Sequence, residues 1–220
     1  MLVWSESVDG YCERIDASFW SEPVNAITNL AFLVAAYWLF KRARRDQQWG
    51  QDGSVTFLVV VLFLIGIGSF LFHTFATRWA GLTDVLPIFI FIMTYVYVAL
   101  RRFFGWSWWL AILGPVALIA QTPVYSALGL GGAAGYLPAL VGLLVLGSCL
   151  LRADREVAIS LLITATIFAL SLSFRSIDEL ICSQNPLGTH WIWHCLNALT
   201  LYRVTRILAQ RWDRHPHPTQ

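Results

Sequence analysis

His190 and His194 stand four residues apart in a stretch, Leu180–Tyr202, that contains no Asp, Glu, Lys or Arg. On a helix that spacing puts both rings on one face. His73 stands in a second charge-free stretch, Gly53–Thr77, and Asp84 directly precedes a third, Val85–Leu100. Two His at i, i+4 and a third from another helix match the three protein ligands of a catalytic zinc site, which leaves the fourth position for water. Neutral imidazole suits the metal, and zinc brings the pKa of that water to about 7. Ser69 lies four residues before His73, on the same helix face. Its hydroxyl either bonds back to its own helix or donates to a developing oxyanion. Asp84 either orients and deprotonates the water or caps a helix start, a role also open to Thr83. Any one of these His alone also fits a hydrogen-bonded core or interfacial residue. The set points to a metal site.

A second group precedes the first apolar stretch. Asp9, Glu13, Asp16 and Glu22 place four carboxylates within 14 residues. Hard oxygen ligands at this density suit Ca²⁺. The spacing is not that of an EF-hand, so a solvated acidic loop, with Glu22 favoured at a helix start, also fits. Cys12 and Cys182 either bond to each other or stand apart as thiols. Cys149 and Cys195 read as small apolar fillers. Arg175 and Asp178 can pair at i, i+3 and read as loop scaffold. His215 and His217 read as tail residues, not ligands.

The elements that must position these groups follow from composition. Of 220 residues 57% are hydrophobic and only 13% charged, about half the ~25% of a soluble domain. Six stretches without Asp, Glu, Lys or Arg have lengths of 18, 25, 16, 49, 18 and 23. A membrane-spanning helix needs about 20 apolar residues, so the longest stretch is two helices and a turn. The turn falls at Gly129-Leu130-Gly131-Gly132. This predicts an all-α, seven-transmembrane helical bundle, with spans at about 24–40, 55–75, 84–101, 107–124, 134–151, 157–174 and 187–207. Residues 1–22 form an outer metal-binding loop, 23–209 the catalytic bundle and 210–220 an inner tail. A cytosolic enzyme, a nucleic-acid binder and a secreted domain are excluded, and a net charge of +2 is too small for a polyanion partner. No protein partner is evident; the partner expected is a membrane lipid. Met1–Gly10 has acidic residues and no Lys or Arg, unlike a signal peptide.

Lys and Arg set the orientation. Twelve of the 15 basic residues follow spans one, three, five and seven; only Arg14, Arg78 and Arg175 fall on the other side. The N-terminus is therefore expected outside, in the periplasm or a lumen, and the C-terminus inside. His73, Asp84, His190 and His194 then lie at one depth, near the outer face. Trp106, Trp108 and Trp109, and Trp191 with Trp193, suit interface belts. The one Lys, Lys41, ends the first span, so no Lys stands inside the bundle for a retinal Schiff base. A haem protein with two axial His and an ion transporter with a His/Asp relay are the competing classes. Confinement of the ionisable groups to one end disfavours the transporter.

Together these segments resemble the alkaline ceramidase family of the CREST superfamily of seven-span membrane hydrolases. The resemblance is carried by Tyr11-Cys12-Glu13-Arg14 through Glu22-Pro23-Val24-Asn25-Ala26-Ile27-Thr28-Asn29, by Gly68-Ser69-Phe70-Leu71-Phe72-His73 with Asp84, by Arg175-Ser176-Ile177-Asp178 with Cys182, and by His190-Trp191-Ile192-Trp193-His194. It implies zinc on His73, His190 and His194, assistance by Ser69 and Asp84, and hydrolysis of ceramide-like lipid amides or of another lipid amide or ester. It further implies a Ca²⁺ site at the N-terminal loop and a Cys12–Cys182 disulfide. Gly10-Tyr11 stands where relatives have Asp-Trp, so Asp9 and Asp16 are expected to replace the missing ligands beside Glu13 and Glu22, with Tyr11 offering its carbonyl.

Overall fold

The computed structural model describes residues 3–46, 52–129 and 133–212. Seven helical rods account for nearly all of them. The first is α1 (Pro23–Thr28) continued by α2 (Leu30–Arg45); α3 is Gly53–Phe75 and α4 is Arg78–Phe104. The fourth rod is α5 (Trp108–Ala111) continued by α6 (Leu113–Ala127); then come α7 (Leu137–Leu150), α8 (Arg155–Ile177) and α9 (His190–Trp212). Among the described residues the only β pairing is an isolated bridge between Ser7 and Thr77. The expected turn residues Leu130, Gly131 and Gly132, and the tail with His215 and His217, lie outside the described residues.

Five rods are long and apolar enough to cross a membrane: Pro23–Arg45, Gly53–Phe75, Arg78–Phe104, Trp108–Ala127 and Arg155–Ile177. Two of the seven expected spans fall short. Leu137–Leu150 has 14 residues, about 21 Å at ~1.5 Å per residue, against ~30 Å of hydrocarbon. The last rod has 23 residues but carries Arg203, Arg206 and Arg211 beside its two His. Outward-facing Trp38, Phe63, Val116 and Ile163 are about half exposed, as suits helices whose surroundings are lipid, and the molecule is an integral membrane protein. Cys149 and Cys195 lie on exposed faces, so they are not the interior fillers that their apolar context suggested. Trp193 is buried against Tyr136 and Phe168. It is a core residue, not part of an interface belt, whereas Trp106, Trp108 and Trp109 are exposed.

The third span starts earlier than composition implied. Thr77 is the N-cap residue of α4, with Arg78 the first helical residue. Asp84 therefore sits in the second turn, and neither it nor Thr83 caps the helix. Arg78 broke the charge-free pattern and masked one and a half turns of helix. Only Ala76 and Thr77 separate α3 from α4, which pack along each other. A Cβ at Gly68 would lie 1.9 Å from the Thr83 carbonyl oxygen, so glycine is what lets the two backbones touch. Pro87 lacks the N–H that would bond that carbonyl within the helix. The close contact fixes Asp84 beside residue 69.

The start of α9 is held by Asp178. Its Oδ1 accepts from the N–H groups of Thr189 at 2.6 Å and His190 at 2.9 Å, and its Oδ2 from Cys12 N–H at 3.2 Å. The Thr189 and His190 donors open the helix and have no partner inside it, and a carboxylate there also suits the helix dipole. Gly188, at φ +65°, passes so near Asp178 Oδ1 that a Cβ would stand 2.2 Å from it. The N-terminal loop lies over the same end of the bundle. Val8 N–H donates to Ala76 O, Arg78 N–H to Glu6 O and Trp79 N–H to Trp4 O. A disulfide joins Cys12 to Cys182.

Candidate metal centre

His73 comes from the last turn of α3, and His190 and His194 from the first two turns of α9. Each is no more than 2% exposed. One ligand atom from each lies within 4.8 Å of the others, and among the described residues no other group of His, Cys, Asp or Glu converges in this way. The ring centroids stand 4.6–5.1 Å apart. His73 Nδ1 is 2.6 Å from Glu22 Oε2, and His194 Nδ1 is 2.9 Å from Thr28 Oγ1. The Thr28 hydroxyl donates its single proton to Val24 O at 2.8 Å, so it accepts from His194 Nδ1–H. In both His the proton is thereby assigned to Nδ1. His73 Nε2 and His194 Nε2 are left buried without a hydrogen-bond partner, as is His190 Nδ1. Such orphaned lone pairs are costly in an apolar interior unless a ligand takes them. One such nitrogen on each of three clustered rings, two of the rings backed by a carboxylate or a hydroxyl, fits a bound metal ion.

Ser69 is 4% exposed, and it stands beside Asp84, which also faces His73. The three His converge on one point, and Ser69 and Asp84 lie next to them on α3 and α4. It also contains residues that sequence reasoning missed or placed elsewhere. Tyr11, expected to offer a carbonyl to calcium, instead lays its ring against His190 at 3.9 Å and His73 at 5.0 Å between centroids. Its carbonyl accepts from Arg14 N–H at 3.2 Å. Burial pushes the Tyr11 phenol up to about 12 against the lowering pull of Arg175, so it stays protonated. Arg175 reaches Tyr11 Oη at 3.5 Å and lies over the rings of Tyr136 and Trp193 at 5.2 and 5.4 Å. Its neighbour Asp178 spends its carboxylate on backbone amides.

The other carboxylates of the N-terminal loop are engaged by the protein. Glu13 Oε1 and Oε2 accept from Val24 N–H at 2.6 Å and Asn25 N–H at 2.8 Å, capping α1. Burial raises the Glu13 carboxyl, and these bonds act against it. Glu22 is 2% exposed and lies between Arg14 and His73. Burial alone would raise its carboxyl, but the hydrogen bonds from His73 and Arg14 and the Arg14 charge outweigh it and hold it below the usual range. Asp16 and Asp9 are exposed; Asp16 Oδ1 accepts from Ser18 N–H at 2.9 Å. These carboxylates do not meet at one point.

An apolar cleft of about 290 Å³ runs between α4, α6 and α7, lined by Val85, Ile88, Phe89, Met93 and Ile119 and reaching Tyr136 and Arg175. A second, much smaller space of about 40 Å³ shares Ile88, Ile92, Tyr136 and Ala139 with it and continues towards Phe168 and Leu201. Through Arg175 and Tyr11 the first cleft adjoins the His cluster. No curated protein sequence matches the chain. The sequence model of one family, Ceramidase, matches residues 6–217. A buried three-His cluster beside an apolar cleft suits a hydrolase of lipid amides, and with a match over nearly its whole length the chain belongs to the ceramidase family.

Proposed function

We propose that this protein is a zinc-dependent intramembrane amidase that splits ceramide-like lipids into a fatty acid and a sphingoid base. The observation that carries the reading is the trio of buried, orphaned imidazole nitrogens, with an apolar cleft that reaches Arg175 nearby. His73, His190 and His194 hold the metal. Bound there, zinc supplies Lewis acidity towards the amide carbonyl and a water-derived nucleophile at neutral pH. Asp84 takes the proton of the attacking water and returns one to the leaving amine. Ser69 donates to the oxyanion. The apolar cleft receives a hydrocarbon chain of the substrate, and Tyr136 and Arg175 mark where the chain gives way to the polar amide.

All seven rods cross the bilayer in this reading, with the N-terminus and residues 1–22 outside, 23–209 as the catalytic body and 210–220 inside. Clustering of Lys41, Arg42, Arg101, Arg102, Arg152, Arg155, Arg203 and Arg206 at the rod ends opposite the His cluster supports it. A haem is poorly served, because the three rings close on each other as a triangle and leave no flat slot between two of them.

The test is elemental analysis of the purified protein together with incubation with ceramide and with a matched ester lipid. One zinc per chain and release of fatty acid from ceramide are expected. Cleavage of the ester alone would move the assignment to esterase, and a Soret band without zinc would overturn it.

A further inference from the structure

The family resemblance implies calcium at the N-terminal loop, and the residues there do not fit it. Calcium takes six to eight oxygen ligands at about 2.3–2.6 Å. Glu13 has both oxygens on backbone N–H groups of α1, and Asp9 and Asp16 are exposed. Glu22 Oε2 faces His73 Nδ1 and Asn25 Nδ2. Its Oε1 is taken by a cation that the chain itself supplies: Arg14 Nε lies 2.5 Å away. The Arg14 side chain is 3% exposed. Its Nη1 donates to Asp16 O at 3.0 Å and its Nη2 to His73 O at 3.1 Å. His73 O is one of the carbonyls that the end of α3 leaves without a helical partner.

We propose that Arg14 is the resident cation of the N-terminal loop, standing in for calcium, and that it positions the Glu22–His73 pair of the metal centre. The guanidinium is always charged and its donors have fixed directions. One group therefore joins the loop (Asp16 O), the entry to α1 (Glu22) and the end of α3 (His73 O). A divalent ion among the same oxygens would face this fixed positive charge at close range. Arg14 thus does for the loop what an ion would do, without dependence on ion concentration. It touches no reacting atom and acts through Glu22 on the orientation of His73.

The test uses the full-length protein in detergent or nanodiscs. Equilibrium dialysis of wild type against 45Ca²⁺ at about 1 mM should leave no bound calcium, and EGTA should leave zinc content and turnover unchanged. Stoichiometric calcium, or loss of turnover in EGTA that calcium restores, would overturn the proposal. Arg14→Ala should weaken zinc binding about 10- to 100-fold, as loss of support behind a metal ligand does. Methylguanidinium or Ca²⁺ added to that variant should recover part of the loss. A purely structural role would not respond to a small cation, so failure of both to rescue, or unchanged zinc affinity, counts against it. If Arg14→Ala fails to fold, Arg14→Lys keeps the charge without the fork and should show faster zinc release; wild-type release would overturn the proposal. The inference rests on the metal-centre reading only for its zinc readout. Calcium dialysis needs neither zinc nor ceramide, so a zinc-free preparation would defeat the functional reading while the calcium result stands.

Discussion

At the residue scale the metal centre depends on side chains that do not themselves face the metal. Thr28 accepts from His194 Nδ1–H, and Glu22 accepts from His73 Nδ1–H. Thr28→Val keeps the shape and removes the acceptor, so the His194 ring loses its tautomer and its aim. Zinc affinity should fall about 10- to 100-fold, read by competition with a chelator of known affinity. His194→Ala should lose zinc and hydrolysis together while the protein still inserts; full metal and full rate in that variant would exclude the site. Glu22 also gives a pH signature. Its folded carboxyl titrates below its unfolded value, so its stabilisation is complete above about pH 4.3 and disappears as pH falls through the lower folded value. Glu22→Gln should therefore flatten the acid limb of a melting-temperature profile below that pH. The His trio was legible because i, i+4 spacing and charge-free surroundings are local signals. Tyr11 was not, since its ring reaches His190 only by the return of the N-terminal loop over the bundle.

At the element scale, function depends on two helices whose backbones touch. Gly68 faces the Thr83 carbonyl with no room for a Cβ, and that contact brings Ser69 to Asp84. Gly68→Ala must separate α3 from α4. Overpacking of this kind costs about 1–3 kcal/mol. Turnover should fall by at least tenfold with zinc retained, because His73, His190 and His194 do not depend on the α4 backbone; metal loss equal to the rate loss would contradict this. Cys12–Cys182 acts on α9 in a related way, since it holds Cys12 N–H on the Asp178 that caps His190. The closed loop spans 170 residues, and removal of a native disulfide typically costs about 2–5 kcal/mol. Cys182→Ser should lower the melting temperature and loosen zinc together. The early start of α4 escaped sequence reasoning because Arg78 looks like a span boundary, yet its exposed side chain pairs with Glu6 at the surface and leaves the helix intact beneath it.

At the scale of the whole molecule, charge decides which end faces which compartment. All-helical architecture and membrane residence were legible from six charge-free stretches, because burial in lipid acts on every residue of a span. The number of spans was less so: the 49-residue stretch has room for two helices, but α7 within it is only 14 residues long. A short rod can still span if flanking groups extend it or the bilayer thins, and positive-inside bias then puts the His cluster on the outer side. Thiol labelling tests this directly. Cys149 and Cys195 are unpaired and exposed, so both are first replaced by Ala; Cys12 and Cys182 are protected by their bond. New cysteines go at Ser18, in the exposed loop, and at Arg45, at the exposed end of α2. In intact cells an impermeant maleimide should label Ser18→Cys at once and Arg45→Cys only after permeabilisation. The reverse pattern would put the metal centre on the cytoplasmic side, where reducing conditions oppose the Cys12–Cys182 bond. Equal labelling of both positions in intact cells would mean that no membrane separates the two ends of α1 and α2.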